Sequence, residues 1–349
     1  MSSALSRLTG VLFAVLCAGA VALQGQELPK VKLFTTGGTI QSKGSHRLKL
    51  SEYSDGRVQP SELLADLPEL TSVARVEVVE ISNIGSGGMN TDLLLKLAKG
   101  LNAELAKPDV TGAVVTHGTG TLEETAYFLH LTVKSKKPVV VVGAMRPWTA
   151  ISRDGLFNLY NAVRTAVTPE AAGKGVLVVL NDTIHSARFV TKNSTYRVET
   201  FVAREIGPLG FTDSDRVVFY RTPLGKHTAE SEFDVSSLES LPQVDVIYGY
   251  QEASRAGIDA LVAEGVKGIV LADGSPAYRA ALLEAQAKGV VIVQSDRKGS
   301  GRVLLSDGSA ARGQVTADNL NPQKARILLR LALTKTTQPK ELQRIFNEY

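Results

Sequence analysis

The chain of 349 residues is long enough for one large domain or two domains of ordinary size. Its hydrophobic content of 44% and its 31 glycines are typical of a soluble α/β protein with tight turns between strands and helices. The net charge of +4 comes from charges interspersed along the chain, without the clustered basic face and stacking aromatic residues of nucleic-acid binding proteins, so we expect no nucleic-acid partner.

The first segment, residues 1–22, has the layout of a secretory signal peptide. Arg7 precedes an apolar run that begins at Val11, and the segment ends with the small-x-small pattern of Ala20, Val21 and Ala22. The apolar run is shorter than the about 20 residues that a transmembrane helix needs. The alternatives are a buried core helix and a membrane anchor. We expect a periplasmic or secreted protein with no membrane attachment after cleavage.

Cleavage after Ala22 removes Cys17, which is the only cysteine of the chain. The mature protein then has neither a disulfide nor a cysteine metal site. The five histidines are scattered and lack the paired spacing of zinc ligands, so we expect no bound metal.

Short runs of β-branched residues alternate with amphipathic helical stretches along the first two thirds of the chain. This alternation predicts a mostly parallel sheet with helices on both faces. The predicted strands are 31–35, 76–81, 112–116, 138–143 and 175–180. The predicted helices between them are 90–105, 122–133 and 155–167.

A polar stretch without a clear period, residues 221–241, predicts a linker. A second alternation follows, with predicted strands 244–250, 268–271 and 290–293, helices 255–264 and 277–287, and two closing helices that begin near Pro322 and Pro339. We therefore expect a larger N-terminal α/β domain over 28–220, with a mixed, mostly parallel sheet flanked by helices. A smaller C-terminal α/β domain is expected over 242–349.

Glycine-rich turns follow the first and third predicted strands, with the sequences TGGT at residues 36–39 and THGTGT at residues 116–121. In an open α/β sheet, ligands bind beyond the carboxyl ends of the strands, so hydroxyl groups here would face a crevice. Glycines also let backbone N–H groups approach a ligand closely. Taken alone, the first segment is more often an ordinary tight turn, and the threonines of the second are more often helix N-caps.

Five further segments accompany these two turns: 142–147, 154–162, 181–183, 190–192 and 321–326. Together, in order and approximate spacing, the segments resemble the motifs of bacterial type II L-asparaginases from about residue 30 to the C-terminus. The resemblance implies an amidohydrolase that converts L-asparagine to L-aspartate and ammonia through a threonine nucleophile and an acyl-enzyme. It also implies a homotetramer of close dimers, in which two subunits share each active site.

The same resemblance implies four catalytic residues. Thr36 is the expected nucleophile, and Tyr53 lies on the mobile loop that closes over the substrate and helps to activate this threonine. Thr119 and Lys192 form a second polar pair that transfers protons or orients water. A lysine can take a proton from a hydroxyl when desolvation or a nearby charge lowers its pKa. Since an activated hydroxyl and water suffice, no organic cofactor is expected.

The expected substrate-binding residues are Gly85, Ser86, Gly87, Gly118, Gly120, Ala144 and Glu252. Ser86 matches the serine that holds the α-carboxylate of the substrate. Three of the others depart from the family pattern, because Gly120 replaces an aspartate, Gly87 replaces a glutamine and Glu252 replaces an asparagine. A substrate ammonium group without a charged partner is costly to desolvate.

These departures leave two substrates open. The first is L-asparagine, with Glu252 or Asp307 supplying the missing negative charge. The second is a small carboxamide without an α-amino group. A non-catalytic periplasmic binding protein is a third interpretation, but a binding protein has no need for Thr36, Thr119 and Lys192 at these motif positions.

Overall fold

The computed structural model describes residues 27–53 and 56–349, so the predicted signal peptide lies outside the described residues. The N-terminal region begins with β1 (Lys30–Gly37), α1 (Pro60–Ala65), β2 (Arg75–Ile84), α2 (Thr91–Leu105) and β3 (Val110–Thr116). It continues with α3 (Leu122–Thr132), β4 (Val139–Val142), α4 (Gly155–Val167) and β5 (Val176–Leu180). Five short strands follow: β6 (Thr183–Ser186), β7 (Thr191–Lys192), β8 (Phe201–Val202), β9 (Gly210–Thr212) and β10 (Val217–Phe219).

The main sheet has eight strands in the order β10-β9-β6-β5-β4-β3-β1-β2. The strands β1 to β5 pair in parallel, whereas β6, β9 and β10 extend the sheet with antiparallel pairs. Because β1 lies between β2 and β3, the strand order reverses at β1 and opens a crevice beyond its carboxyl end. Thr35 pairs with Thr116 at this edge of the sheet.

Alternating side chains of the parallel strands enter two separate cores, one on each face of the sheet. Leu33 and Val114 pack on one face with residues of α4. Phe34 and Val115 pack on the opposite face with residues of α2 and α3. All four side chains are fully buried, as expected for a parallel sheet covered by helices on both faces.

The C-terminal region forms a smaller parallel sheet in the order β11-β12-β13-β14. Its elements are β11 (Val244–Tyr248), α5 (Ala256–Ala263), β12 (Gly268–Ala272), α6 (Tyr278–Ala287), β13 (Val291–Ser295), α7 (Asp307–Ala311), β14 (Val315–Thr316), α8 (Pro322–Ala332) and α9 (Pro339–Glu348). Helices α3 and α8 pack together and join the two sheets into one apolar core. The segment 221–241 contributes Phe233 and Val235 to this core.

The predicted fold class is confirmed, and each predicted strand and helix is present. The bounds differ by a few residues, as at β2, which continues past residue 81 to Ile84. The predicted strand 244–250 was too long, because the chain turns after Tyr248 and Gly249 packs against the backbone of Asp273. The sequence did not predict α1, β6 to β10, α7 or β14. In the described residues, no helix has the length and apolar character needed to cross a bilayer.

Three buried histidines make the fold sensitive to acid. Burial lowers the pKa of His117 and of His185 to about 4, and it lowers the pKa of His130 well below the usual value. These imidazoles therefore stay neutral in the folded protein, whereas in the unfolded chain they take up protons below about pH 6.5. The unfolded state is then favoured as the pH falls.

We expect the free energy of unfolding to decrease as the pH is lowered from about 6.5 to 4. His117 alone should account for a loss of about 3 kcal/mol. Denaturant unfolding at a series of pH values measures this loss. The variant His46→Gln, which changes an exposed histidine, should retain the wild-type pH dependence. A free energy of unfolding that stayed constant over this pH range would contradict the conclusion that the buried histidines stay neutral in the folded protein.

Candidate active site

The carboxyl ends of three parallel strands bring predicted site residues to one edge of the main sheet. Thr36 is the penultimate residue of β1 and is only 2% exposed. Thr119 follows β3 and is 6% exposed, and Ala144 follows β4 and is fully buried. The edge lies at the reversal of strand order, where ligands of open α/β sheets bind.

The turns after β1 and β3 touch through their backbones. A Cβ atom added to Gly38 would lie 2.3 Å from the Cα atom of Gly118. Gly38 has a φ of +85°, and its N–H group donates to the carbonyl oxygen of Ile84 over 2.8 Å. Only glycine combines this positive φ with so close an approach to Gly118. The two glycines therefore set how closely Thr36 and Thr119 approach each other.

The two threonine hydroxyls have different partners. The Thr36 hydroxyl donates to the carbonyl oxygen of Thr116 over 2.8 Å. The Thr119 hydroxyl accepts a hydrogen bond of 2.8 Å from Nζ of Lys192. The structure thus brings Lys192 directly to Thr119, and the described hydrogen bonds contain none between Lys192 and Thr36.

Lys192 has the environment of an amine that can accept a proton. The side chain is half-buried, and desolvation lowers its pKa from the usual value near 10.5. Within residues 27–53 and 56–349 it forms no ion pair that would restore the charged state. The Lys192 amine can therefore lose its proton more readily than a solvated lysine.

Tyr53 lies at the rim of the site. Its side chain is 44% exposed, and its hydroxyl donates to the carbonyl oxygen of Met145 over 3.3 Å. Desolvation, and then the negative charge of Asp154, raise the pKa of this phenol, so the hydroxyl stays protonated. The structure places Tyr53 over the turn that follows β4, and no described hydrogen bond links it to Thr36.

Ser86 lies beside the turn that follows β3. A Cβ atom added to Gly120 would lie 2.7 Å from Oγ of Ser86, and one added to Gly118 would lie 2.8 Å from Cβ of Ser86. The carbonyl oxygen of Ser86 accepts a bond of 2.8 Å from the Thr121 hydroxyl. Gly85 and Gly87 flank the serine and are exposed. This part of the predicted substrate-binding set is therefore contiguous.

Glu252 is the one predicted site residue that lies away from this cluster. It follows β11 in the C-terminal region, is exposed and has a φ of +57°. In the part of the chain that the structure describes, its side chain forms no hydrogen bond with any of the other predicted site residues.

His117 supports the turn and does not transfer protons. Its Nδ1 atom donates to the carbonyl oxygen of Gly118 over 2.8 Å, and its Nε2 atom accepts from the Thr125 hydroxyl over 2.9 Å. Both nitrogens are satisfied and the imidazole stays neutral, with a pKa lowered to about 4 by burial. Among the described residues, no group of three His, Cys, Asp or Glu side chains is arranged to bind a metal ion.

Two carboxylates that shape the site were missed by the sequence analysis. The Asp154 carboxylate accepts bonds of 2.9 Å from the N–H groups of Met145 and Arg146, which fixes the turn after β4. The Glu123 carboxylate accepts a bond of 2.8 Å from the N–H group of Lys192. The sequence analysis included Asp154 in one of the motif segments but gave it no role. Glu123 was not recognised, because a carboxylate that binds backbone groups distant in the sequence leaves no pattern there.

Comparison with known families decides the assignment. Residues 30–225 match the family model "Asparaginase, N-terminal", and residues 243–346 match "Glutaminase/Asparaginase C-terminal domain". The chain belongs to the asparaginase family. The predicted family is confirmed, and with it the prediction of an amidohydrolase of the asparaginase type.

Individual relatives of this asparaginase family cover almost the whole chain. The "L-asparaginase 2" of Bacillus subtilis is 49% identical over 335 residues, which are 95% of this chain and 89% of that protein. The "Probable L-asparaginase periplasmic" of Haemophilus influenzae is 43% identical and covers 93% of this chain and 94% of its own length. The "Probable Cytoplasmic L-asparaginase" from Campylobacter jejuni has a crystal structure with a TM-score of 0.89 and 42% identity, covering 92% of this chain and 100% of that chain.

The contact between the two glycine turns can be tested by substitution. Gly38→Ala forces a positive φ on alanine and also places a Cβ atom against Gly118. The control Gly265→Ala has a similar φ of +83° but nothing within 4 Å of the added atom, so it should cost only the about 1 to 2 kcal/mol of the left-handed conformation.

We expect Gly38→Ala to lose about 2 kcal/mol more than the control, because overpacking adds to the conformational cost. Amide hydrolysis should also fall sharply in this variant only. Denaturant unfolding and an ammonia assay measure the two effects. Equal losses of stability in both variants would show that the contact does not constrain the turns.

Proposed function

We propose that the protein hydrolyses a small carboxamide, most specifically L-asparagine, to the carboxylate and ammonia. The observation that carries the proposal is the 2.8 Å hydrogen bond between Nζ of Lys192 and the Thr119 hydroxyl, beside Thr36 at the edge where β1 and β3 end. An amine of lowered pKa bonded to a hydroxyl is an arrangement that can activate an oxygen for attack on a carbonyl. Membership of the asparaginase family supports the choice of a carboxamide.

In the first half of the reaction, the Thr36 oxygen attacks the carbonyl carbon of the amide. A new C–O bond forms, and the carbonyl oxygen becomes negatively charged. In this proposal, backbone N–H groups of the glycine-rich turns donate hydrogen bonds to this charge. The hydroxyl proton passes to the amide nitrogen, the C–N bond breaks, ammonia leaves, and an ester on Thr36 remains. Tyr53, whose hydroxyl is bonded to Met145 in the turn after β4, covers the site.

In the second half, water attacks the ester carbon. The Thr119 hydroxyl accepts the proton of the water and donates its own proton along the 2.8 Å contact to Nζ of the neutral Lys192 amine. The ester C–O bond breaks, and the Thr36 oxygen recovers a proton from Lys192. One water is consumed for each amide, and the carboxylic acid and ammonia that form become a carboxylate and an ammonium ion by proton exchange.

The geometry also supports a second candidate nucleophile. The Thr119 hydroxyl is bonded directly to an amine, whereas the Thr36 hydroxyl donates to the carbonyl oxygen of Thr116. In this alternative, Thr119 attacks the amide and Thr36 assists the attack of water. The family resemblance favours Thr36, and the bond to Lys192 favours Thr119.

The substrate is held by Ser86, whose hydroxyl binds the carboxylate at the far end of the amide. Neither Gly87 nor Gly120 can offer a charge to an α-ammonium group. In this proposal the protein is a homotetramer, and Glu252 of a neighbouring subunit supplies that charge. The exposed aromatic rings of Tyr248 and Tyr250 near Glu252 support an interface there, since they are 48% and 55% exposed in the single chain.

The proposal places the protein in the periplasm or outside the cell. Its support is the signal-like pattern of residues 1–22 together with the name of the Haemophilus influenzae relative, "Probable L-asparaginase periplasmic". The solved structure from Campylobacter jejuni carries the name "Probable Cytoplasmic L-asparaginase", so relatives with both names share the fold.

Comparing two substrates tests the proposal. We expect ammonia release from L-asparagine to exceed that from succinamate, which has no α-amino group. The rate should rise with pH as Lys192 loses its proton, with a midpoint below 10.5. The variant Lys192→Met should lower kcat by about 100-fold or more, since it removes the proton acceptor.

Equal or reversed rates would contradict L-asparagine as the substrate and would favour a carboxamide without an α-amino group. Binding of both amides without any release of ammonia would instead identify a binding protein. The variant His46→Gln changes an exposed side chain outside the site and serves as the control for both assays.

A further inference from the structure

Lys192 lies on a strand that is too short to fix its position. β7 has only two residues and pairs only with β8, in a two-stranded sheet separate from the two larger sheets. Its two register pairs are Thr191 with Val202 and Lys192 with Phe201. The Lys192 amine nevertheless lies 2.8 Å from the Thr119 hydroxyl. Other contacts must therefore hold the main chain here.

The first such contact comes from Glu123, in the first turn of α3. Its side chain is buried, with 5% exposure, and Oε2 accepts the N–H group of Lys192 over 2.8 Å. Oε1 accepts from Nδ2 of Asn321 over 3.1 Å and from Nε2 of Gln323 over 2.5 Å. All three partners are donors, so the position requires a group that accepts on both oxygens, as an ionised carboxylate does.

The Glu123 contact ties Lys192 to its hydroxyl partner. α3 begins at Leu122, directly after the turn that contains Thr119. Glu123 and Thr119 therefore belong to one turn-and-helix unit. The main chain of Lys192 is bonded to this unit at one point and its side chain at another.

The second contact comes from Lys324, in the first turn of α8. This side chain is 2% exposed, and its ammonium group donates to the carbonyl oxygen of Arg188 over 3.0 Å and to that of Val190. Burial lowers the pKa of Lys324 to about 8, while the Glu123 carboxylate acts in the opposite direction. Lys324 thus holds the segment that leads into Lys192 from the side of the C-terminal region.

We propose that Glu123 and Lys324 are positioning residues that together hold the Lys192 main chain in place for proton transfer. We call this pair the Glu123–Lys324 clamp. Since Lys324 belongs to α8, the C-terminal region of the same chain contributes to the catalytic geometry. This inference rests on the proposed catalytic role of Lys192.

Stability and catalysis should respond differently when the clamp is removed. The Glu123 carboxylate raises the pKa of Lys324, so the two charges attract each other, although no ion pair joins them among the described residues. Removing either one loses this attraction together with its own hydrogen bonds and destabilises the fold, whereas removing both loses the attraction only once. The hold on the main chain is lost in either case. A displacement of about 1 Å in a catalytic group can cost about 100-fold in rate.

The test compares Glu123→Gln, Lys324→Met and the double variant in the full-length protein. Each single variant should lower Tm, and the double variant should lose less than the sum of the two single losses. In the double variant kcat should stay about 10- to 100-fold below the wild-type value, while KM changes less than about threefold. The pH midpoint of kcat should shift upward, because Lys192 becomes more solvated when it leaves Thr119.

The assay uses whichever of L-asparagine and succinamate the wild-type protein hydrolyses faster. Lys134→Met is the matched control, since its ammonium group also donates to a main-chain carbonyl, that of Ser231, and desolvation lowers its pKa. This control should lower Tm and leave both kcat and its pH profile unchanged.

A folded double variant with the wild-type kcat and pH profile would overturn the proposed clamp. It would show that the two residues contribute to stability alone. If the double variant does not fold, Gln323→Leu removes only one donor from Glu123 and should still lower kcat about threefold with an upward pH shift. An unchanged kcat and pH profile in that variant would also overturn the proposal. Undiminished activity of Lys192→Met would instead refute the proposed role of the lysine.

Discussion

Gly38 and Gly118 come from turns far apart in the sequence, and their backbones meet where β1 and β3 end side by side. The meeting is possible because the strand order of the sheet reverses at β1, so the chain leaves these two neighbouring strands toward opposite sides of the sheet. Gly38 cannot gain a side chain without displacing the turn that contains Gly118, and a side chain at Gly118 would meet Ser86. From this contact follow the proximity of Thr36 to Thr119, the position of Ser86 beside Gly120 and the shape of the crevice.

Burial changes the pKa values of the groups that lie near the glycine-rich turns. Burial keeps His117 neutral, and partial burial lowers the pKa of Lys192, so in our proposal His117 supports the turn and Lys192 accepts a proton. Cofactor-free hydrolysis needs only this amine, a hydroxyl and water. The N–H group of Lys192 is in turn bonded to the buried carboxylate of Glu123, and the segment that precedes it is bonded to the buried ammonium group of Lys324. In our proposal, these two charged groups thereby determine where the amine lies.

The sequence allowed the fold class, the long helices and the parallel strands to be predicted, because each has a clear hydrophobic period. Thr36 and Thr119 were predicted from the family resemblance, because glycine-rich turns after strands are, taken alone, more often ordinary tight turns or helix N-caps. The strands β6 to β10 were not predicted, since two to four residues carry no measurable period. The Glu123 contacts were equally invisible, because Gln323 lies 200 residues away along the chain. The resemblance already implied that two subunits share each site, and the structure shows Glu252 exposed in the C-terminal region, without a hydrogen bond to the other predicted site residues among those described.

The central claim is that a hydroxyl at the mouth of the first strand becomes covalently attached to the acyl group of the substrate. Acid quenching during turnover, followed by peptide mass spectrometry, tests this claim most directly. Thr36 and Thr119 fall on different tryptic peptides, so the two hydroxyls can be told apart. The account predicts an acyl adduct on the peptide that contains Thr36, with fragmentation locating it at that residue. An adduct on Thr119, or continued turnover without an adduct on either residue, would contradict it.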